Sequence, residues 1–500
     1  MPPLLVLLGG LVLYCVTVAP TVLWGDDAEL QRIVVTGEQR TIGQSGEASH
    51  VLWLWVTRAF VSVTGWLPLD AAGRTNLVSA LAGAAALPFV YGAAAELARV
   101  LGPAEPVARR GAGHRTAGVA AAGAFAMSHT FWLLAVRPDV YTLQTALLAS
   151  ATWALVRWRR TGGLWLLALA SLVVAAALLN HVMILASGVG LAAIALSAQA
   201  ARRRTLLMPA AVIGVVGLAV LGIAATRGVP VISIIEAAAS YRPQLPSLRD
   251  AILLGGYLIY QFPLSLPFAL VGVVTLWRRD RPLTVAIALL YGANVLLMLL
   301  RHHPAMYVRD QYIFFLPTYV PVALLIGVGA AVAVGRIKHV FVVLLIAAPL
   351  VVYPIASATA GAIAARLAPA RQLPGRDPVG YYLLPPKVGY AGARRFADAA
   401  FAALEPEAVV VSDWLPYQTL RYVQQVEGVR PDVRLEMINA GGDAQLSFLL
   451  TQQQRRSVPP PLYLADDSPA PYYEMEGIRR CFTVSPHGPL FRLAYRGGCF

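Results

Sequence analysis

Three carboxylates fall within four residues in the segment Trp24-Gly25-Asp26-Asp27-Ala28-Glu29-Leu30, at the end of the chain's first apolar stretch. Like charges at this spacing raise at least one pKa, and partial burial beside a membrane raises it further. A carboxylate tuned in that way can take a proton from a hydroxyl as a general base. The same residues also read as an ordinary hydrated turn, or as a cap for a short helix that follows. Composition leaves both readings open.

Further polar segments punctuate the apolar sequence. In Arg137-Pro138-Asp139-Val140-Tyr141, Asp139 is placed to contact a substrate or to pair with Arg137. Pro and Asp also both suit a helix N-terminus. Asn180-His181 sits inside an apolar block, where a histidine either faces a cavity or lies at the membrane interface. The run Arg301 to Tyr312 carries Arg301, His302, His303, Arg309 and Asp310. Its two guanidinium groups match phosphate oxygens in two-pronged contacts, or pair with Asp310 and lipid headgroups. Near the C-terminus, Asp413 ends a strand-like stretch and precedes a helical one, the place where α/β sheets put ligand contacts. It is equally a capping residue.

The elements that must position these residues are mostly membrane helices. The chain has 500 residues, 58% hydrophobic and 13% charged, against about 45–50% and about 25% in soluble domains. Apolar runs long enough to span a bilayer fall at 3–24, 76–98, 117–136, 140–156, 164–180, 183–200, 206–225, 251–276, 283–300, 313–334 and 340–356. With the N-terminus inside, the inside loops hold Arg99, Arg109, Arg110 and Arg115, then Arg157, Arg159 and Arg160. After these come Arg202 to Arg204, then Arg278, Arg279 and Arg281, then Arg336 and Lys338. Every inside loop is basic, as the positive-inside rule requires, and the formal charge of +14 is thereby placed. No basic patch on a soluble face invites nucleic acid. The first run lacks a basic leader and a small-x-small cleavage site, and reads as a retained helix.

The expected architecture is therefore mainly α, a polytopic helical bundle over 1–356 with about eleven spans. Its first outer loop is 25–75. A Pro- and Gly-rich linker, 357–390, leads to an extracytoplasmic α/β domain at 391–500. Within that tail, a helix at 391–404, a strand at 408–411, a helix at 417–426 and a strand at 433–438 read as strand and helix in alternation. Short strands follow near 461–465 and 480–496. Cys481 and Cys499 suit a disulfide in an oxidising compartment, or two thiols. The expected location is the cell membrane, with the N-terminus cytoplasmic and the tail outside.

No zinc-type Cys/His spacing, phosphate-binding GxxxxGK[ST] loop, GxGxxG fingerprint or Gly-x-Ser-x-Gly elbow occurs. ATP-driven and zinc-dependent chemistry have no support in the sequence. A divalent metal is compatible with the acidic cluster but not required by it.

Taken together, the segments resemble protein O-mannosyltransferase-like membrane proteins of the GT-C glycosyltransferase superfamily. The resemblance rests on Gly25-Asp26-x-x-Glu29-Leu30, on Arg74-Thr75-Asn76-Leu77-Val78-Ser79-Ala80-Leu81, on Asp139-Val140-Tyr141-Thr142-Leu143 and on Asn180-His181. It is strongest over the first 200 residues. Weaker echoes occur in Tyr307 to Pro317, in Tyr422-Val423-Gln424 and in Arg430-Pro431-Asp432-Val433. The resemblance implies a polyprenyl-phosphate-linked sugar donor and an acidic base in the first outer loop, with Asp26 at the matching position and Glu29 as its companion. Family members continue with His-Pro-Pro-Gly-Tyr-Pro, where this chain has Gly46-Glu47-Ala48-Ser49-His50-Val51. That departure bears on donor or acceptor specificity. Asp27, His50, Asp139, Tyr141, His181, Arg301 and Arg309 are the candidate substrate-binding residues, the two arginines by charge alone.

The expected activity is transfer of one sugar to a hydroxyl of a protein, glycan or lipid acceptor at the outer face, with inversion. A lipid-linked glycan transporter would place its polar residues at the membrane midplane, in two related halves. A non-catalytic scaffold would tolerate Asp26→Asn, Glu29→Gln and Asp139→Asn.

Overall fold

The computed structural model describes residues 2–38, 50–100, 107–198, 247–300, 311–334, 338–367, 371, 373–377, 379–438, 443–454 and 459–499. The expected span at 206–225 and the site candidates Arg301 and Arg309 lie outside the described residues. Among the described residues, Ala71–Val100, Arg281–Leu300, Ile313–Ala333 and His339–Ala360 are each long and apolar enough to cross a membrane, and two bent helix pairs qualify when taken together. The protein is a multi-pass membrane protein. Large apolar side chains such as Leu5, Val12, Val16, Leu172, Val273 and Val343 stay exposed on its flanks, as lipid-facing positions must.

Helix α1 (Pro2–Thr17) packs on α4 (Ala71–Val100). The two approach closely at Gly10, where a Cβ would meet Leu87 Cδ1 at 2.5 Å. The helix stops seven residues before the expected end at 24. Proline at position 20 lacks the N–H that a helix needs, and the chain runs on without helix to Trp24. The backbone there is held from the side. Asn76 Nδ2 donates to Ala19 O at 2.9 Å and to Thr21 O at 3.2 Å, and Gln31 Oε1 accepts from the Leu23 N–H at 3.1 Å. Two short helices follow, α2 (Asp26–Thr36) and α3 (Val51–Val63). Helix α3 leaves Trp55 exposed and is followed by exposed Trp66, the residue type enriched where membrane meets water.

Two expected spans are broken. In 117–136, α5 (Val107–Ala126) and α6 (His129–Ala135) meet at 67°. In 251–276, α10 (Leu248–Gln261) and α11 (Leu266–Arg279) meet at 102°. The second break has a visible cause in Phe262-Pro263-Leu264-Ser265, where Pro263 removes a donor and Leu264 takes a left-handed φ of 63°. Between the two breaks run α7 (Val140–Thr161), α8 (Leu164–Asn180) and α9 (Ile184–Leu196). The bundle continues with α12 (Arg281–Leu300), α13 (Leu316–Ala333), α14 (His339–Ala347) and α15 (Pro349–Leu367).

The tail holds a five-stranded sheet in the order β2-β1-β3-β5-β4. The strands are β1 (Val409–Ser412), β2 (Arg434–Met437), β3 (Leu462–Leu464), β4 (Phe482–His487) and β5 (Leu490–Tyr495). Strand β1 pairs in parallel with β2 and with β3, placing Val410 beside Leu435 and Tyr463, while β5 runs antiparallel between β3 and β4. All four residues of β1 are buried, as a central parallel strand covered on both faces should be. Cys481 and Cys499 form a disulfide with Cα atoms 5.7 Å apart.

The tail shares a core with the first loop. Val22, Trp24, Ala28 and Ala72 lie in one buried cluster with Phe396, Leu420 and Tyr422. Backbone bonds join the same parts: Lys387 N–H donates to Thr17 O at 2.9 Å, and Gly25 N–H to Leu415 O at 3.3 Å. Residues 380–390 thus lie directly against the end of α1.

Candidate active site

The acidic turn sits where α1 ends, where α4 and α7 begin and where the tail docks. Gly25 makes the turn possible. Its φ is +58°, and a Cβ there would meet Leu415 Cδ2 at 2.6 Å. Only a residue without a side chain lets the backbone take this shape so close to another chain segment. Helix α2 then starts with Asp26, Asp27 and Glu29 in its first turn, where carboxylates favour the helix dipole.

The three acids have different surroundings. Asp26 is exposed, and one of its oxygens, Oδ1, accepts from the Trp414 indole Nε1–H at 2.7 Å. Asp27 is buried. Its Oδ1 lies 3.7 Å from Arg137 Nε, and its Oδ2 accepts from the Tyr381 hydroxyl at 3.3 Å. Burial pushes Asp27 up to about 6, with Arg137 pulling the other way and Asp26 adding to the rise. Glu29 is fully enclosed within the fold, so the proposed base and its companion are presented differently.

Asp139 stands at the start of α7. Its carboxylate accepts from the Tyr141 N–H at 2.7 Å, and its own N–H donates to Ser79 Oγ at 2.9 Å. Burial pushes this carboxyl up to about 7. Arg137 and the Tyr141 N–H oppose the shift, and the charges of Asp27 and Asp26 reinforce it. Three acids and Arg137 therefore act on one another.

A second cation comes from the tail side. Lys387 is buried, donates to Leu384 O at 2.6 Å and lies 5.0 Å from the Tyr381 ring centre. Burial lowers it to about 7, Arg137 lowers it further and Asp27 opposes both. Sequence reading missed it, although a signal exists: of 40 Lys and Arg residues only Lys338 and Lys387 are lysines. Trp414 and Tyr381 were also missed, and no local pattern marks either one.

His50, His181 and Tyr141 form an adjoining ring group. The two imidazoles stack with centres 5.0 Å apart, and Tyr141 lies 5.0 Å from His181. His181 Nδ1 accepts from the Met183 N–H at 3.0 Å. In the neutral imidazole the ring proton is therefore on Nε2, which faces the Tyr141 hydroxyl at 3.4 Å. The structure thus gathers Asp26, Asp27 and Asp139 in one charged group and His50, Tyr141 and His181 in another. The two meet at the Asp139–Tyr141 turn. Among the described residues no group of three or more His, Cys, Asp or Glu side chains is arranged to hold a metal ion.

Residues 50–204 match the family described as the protein O-mannosyl-transferase TMEM260 N-terminal domain. No curated protein matches the chain in sequence. Two crystal structures of ArnT from Cupriavidus metallidurans have the same fold. The apo form has a TM-score of 0.59 and the form bound to undecaprenyl phosphate 0.58. Each is 15% identical, and the match covers 98% of this chain and 97% of that one.

Proposed function

From the GT-C glycosyltransferase fold, and from a segment that matches a protein O-mannosyl-transferase family, we propose that this chain transfers one sugar from a polyprenyl-phosphate carrier to an acceptor hydroxyl. The observation that carries the reading is the buried pair Asp27 and Asp139, sharing Arg137, with Lys387 acting on Asp27, beside exposed Asp26 at one end of the membrane bundle. The same end holds the tail. The opposite end holds the arginines of the basic loops, which supports a tail on the outer face.

In this scheme Asp26 accepts the proton of the acceptor hydroxyl. The oxygen forms a bond to the anomeric carbon as the bond from that carbon to the phosphate oxygen breaks. The electron pair leaves with the polyprenyl phosphate. One base and no enzyme nucleophile give a single displacement, hence inversion. Arg137 and Lys387 supply positive charge toward the leaving phosphate, a role that charge alone had suggested for Arg301 and Arg309. Asp27 holds Arg137 in place, and the His50, His181 and Tyr141 rings offer flat faces to a sugar. The bound undecaprenyl phosphate of the ArnT structure supports a carrier of this class.

The test is release of labelled mannose from mannosyl-phosphoryl-undecaprenol by the purified full chain, with and without Asp26→Asn. Loss of a general base should cost about 10²–10⁴-fold in kcat. Equal turnover by both proteins would remove Asp26 as the base.

A further inference from the structure

The tail does more than sit on the membrane domain: at the carboxyl ends of its parallel strands it carries a built mount aimed at Asp26. Strand β1 connects to β2 on one side, and β3 leads to the β4–β5 pair on the other. The crevice between the ends of β1 and β3 is therefore a topological switch point, where sheets of this kind present functional groups. Asp413 follows β1 and Asp466 follows β3. Both are buried, and both hold Arg371. Arg371 Nη1 and Nη2 donate to the two Asp413 oxygens at 2.6 and 2.5 Å, Nη2 also donates to Asp466, and the guanidinium lies 4.2 Å from the centre of the Tyr472 ring.

This arrangement fixes the residue after Asp413, which is Trp414, the first residue of the helix Trp414–Glu427. Its indole reaches across to Asp26 Oδ1 at 2.7 Å. Among the described residues the second oxygen, Oδ2, has no hydrogen-bond partner. A carboxylate held at one oxygen loses its freedom to rotate, and its other oxygen keeps its lone pairs for an incoming hydroxyl. A displacement reaction is sensitive to such orientation.

We propose that Trp414 is a positioning residue for the transfer reaction. The tail completes the site by pinning Asp26 through the indole N–H, with the Arg371–Asp413–Asp466 triad as the mount. The inference rests on Asp26 acting as base. The indole keeps its proton throughout, and the acceptor's proton goes to Asp26 Oδ2.

The experiment compares wild type, Trp414→Phe, Trp414→His and Arg371→Lys as full-length purified chains with mannosyl-phosphoryl-undecaprenol as donor. Thermal unfolding and the state of the Cys481–Cys499 disulfide check that each tail is folded. Trp414→Phe should lower kcat at least tenfold with KM for the donor unchanged. Trp414→His, which retains an N–H donor, should recover part of the loss, and Arg371→Lys should show a smaller fall in kcat. Wild-type kcat in Trp414→Phe, or a raised KM with kcat intact, would overturn the proposal while leaving Asp26 as base. An inert wild type would remove the parent reading, and this one with it.

Discussion

The two ends of the membrane bundle carry opposite charge arithmetic. At the end of α4 and α7 away from the tail, one buried carboxylate, Glu96, is met by three arginines. Arg99 lies at 2.7 Å, Arg157 at 3.3 Å and Arg160 at 2.7 Å. Arg159 there pairs with Asp280 at 2.8 Å. At the other end, Asp27 and Asp139 share Arg137, and Lys387 acts on Asp27 alone. The same two helices connect the ends, Ser79 to Glu96 along α4 being roughly 26 Å at 1.5 Å per residue. One cluster is saturated with positive charge and ties helix ends together. Among the described residues the other has fewer cations, and burial raises two of its carboxyls, Asp27 and Asp139. Acids with perturbed pKa values cluster at functional sites.

The largest contrast is expected from neutralising one acid at each end. Asp26→Asn should remove about 10²–10⁴-fold of kcat with little change in melting temperature, because Asp26 is exposed. Glu96→Gln should do the reverse. It leaves three arginines facing one another and should cost roughly 2–3 kcal/mol, less than a fully buried pair because the arginines are partly exposed. The protein that remains folded should keep its kcat. Parallel turnover and thermal unfolding of the two variants measure this. A Glu96→Gln variant that melts normally but does not turn over would show that the basic end takes part in turnover.

A medium effect is expected from pH. Asp27 and Asp139 have folded values of about 6 and about 7, above the ordinary 3.8, so folding favours their protonated forms. The stability they contribute is complete below pH 3.8 and is lost as pH rises through 6 to 7. Lys387 has a folded value of about 7, below 10.5, so folding favours its neutral form, and its contribution grows as pH rises from 7 to 10.5. The two trends meet near pH 7, where this end of the molecule is least stable. Each group changes stability by at most about 1.4 kcal/mol per pH unit. Melting temperature in detergent should therefore pass through a minimum near neutrality. Asp27→Asn should flatten the acid side and Lys387→Met the alkaline side. A wild-type profile with a maximum at pH 7 that neither substitution alters would show that these groups do not set it.

The basic end was legible because its arginines are close in sequence to the helix ends they decorate, and the positive-inside rule needs only local counting. The tail strands were legible for the same reason: the stretch 408–411 became Val409–Ser412, and 433–438 became Arg434–Met437. At the acidic end, Asp26, Asp27 and Asp139 were visible as residues, but their partners were not. Tyr381 is 354 residues from Asp27, and Trp414 is 388 from Asp26. No periodicity reports a contact made by docking one folded unit on another. The bent span at 251–276 was obscured differently. Its apolar composition continues through Pro263 and Pro267, so hydropathy reads one helix where the backbone makes two.

The smallest effect sharpens the contrast from the basic side. Arg157, Arg99 and Arg160 each contact Glu96, and each is between a third and a half exposed. Removing Arg157 leaves two arginines on Glu96, so the carboxylate stays paired. Exposed pairs contribute at most about 1 kcal/mol. Arg157→Ala should thus shift the melting temperature by only a few degrees and leave turnover intact. The matching change at the acidic end, Arg137→Ala, removes the cation that opposes the upward shift of both Asp27 and Asp139. Among the described residues no other arginine pairs with Asp27, so its loss should cost both activity and stability. Equal small losses from the two substitutions would mean that the acidic end is as fully compensated as the basic one, and the distinction between a tied joint and a working site would fail.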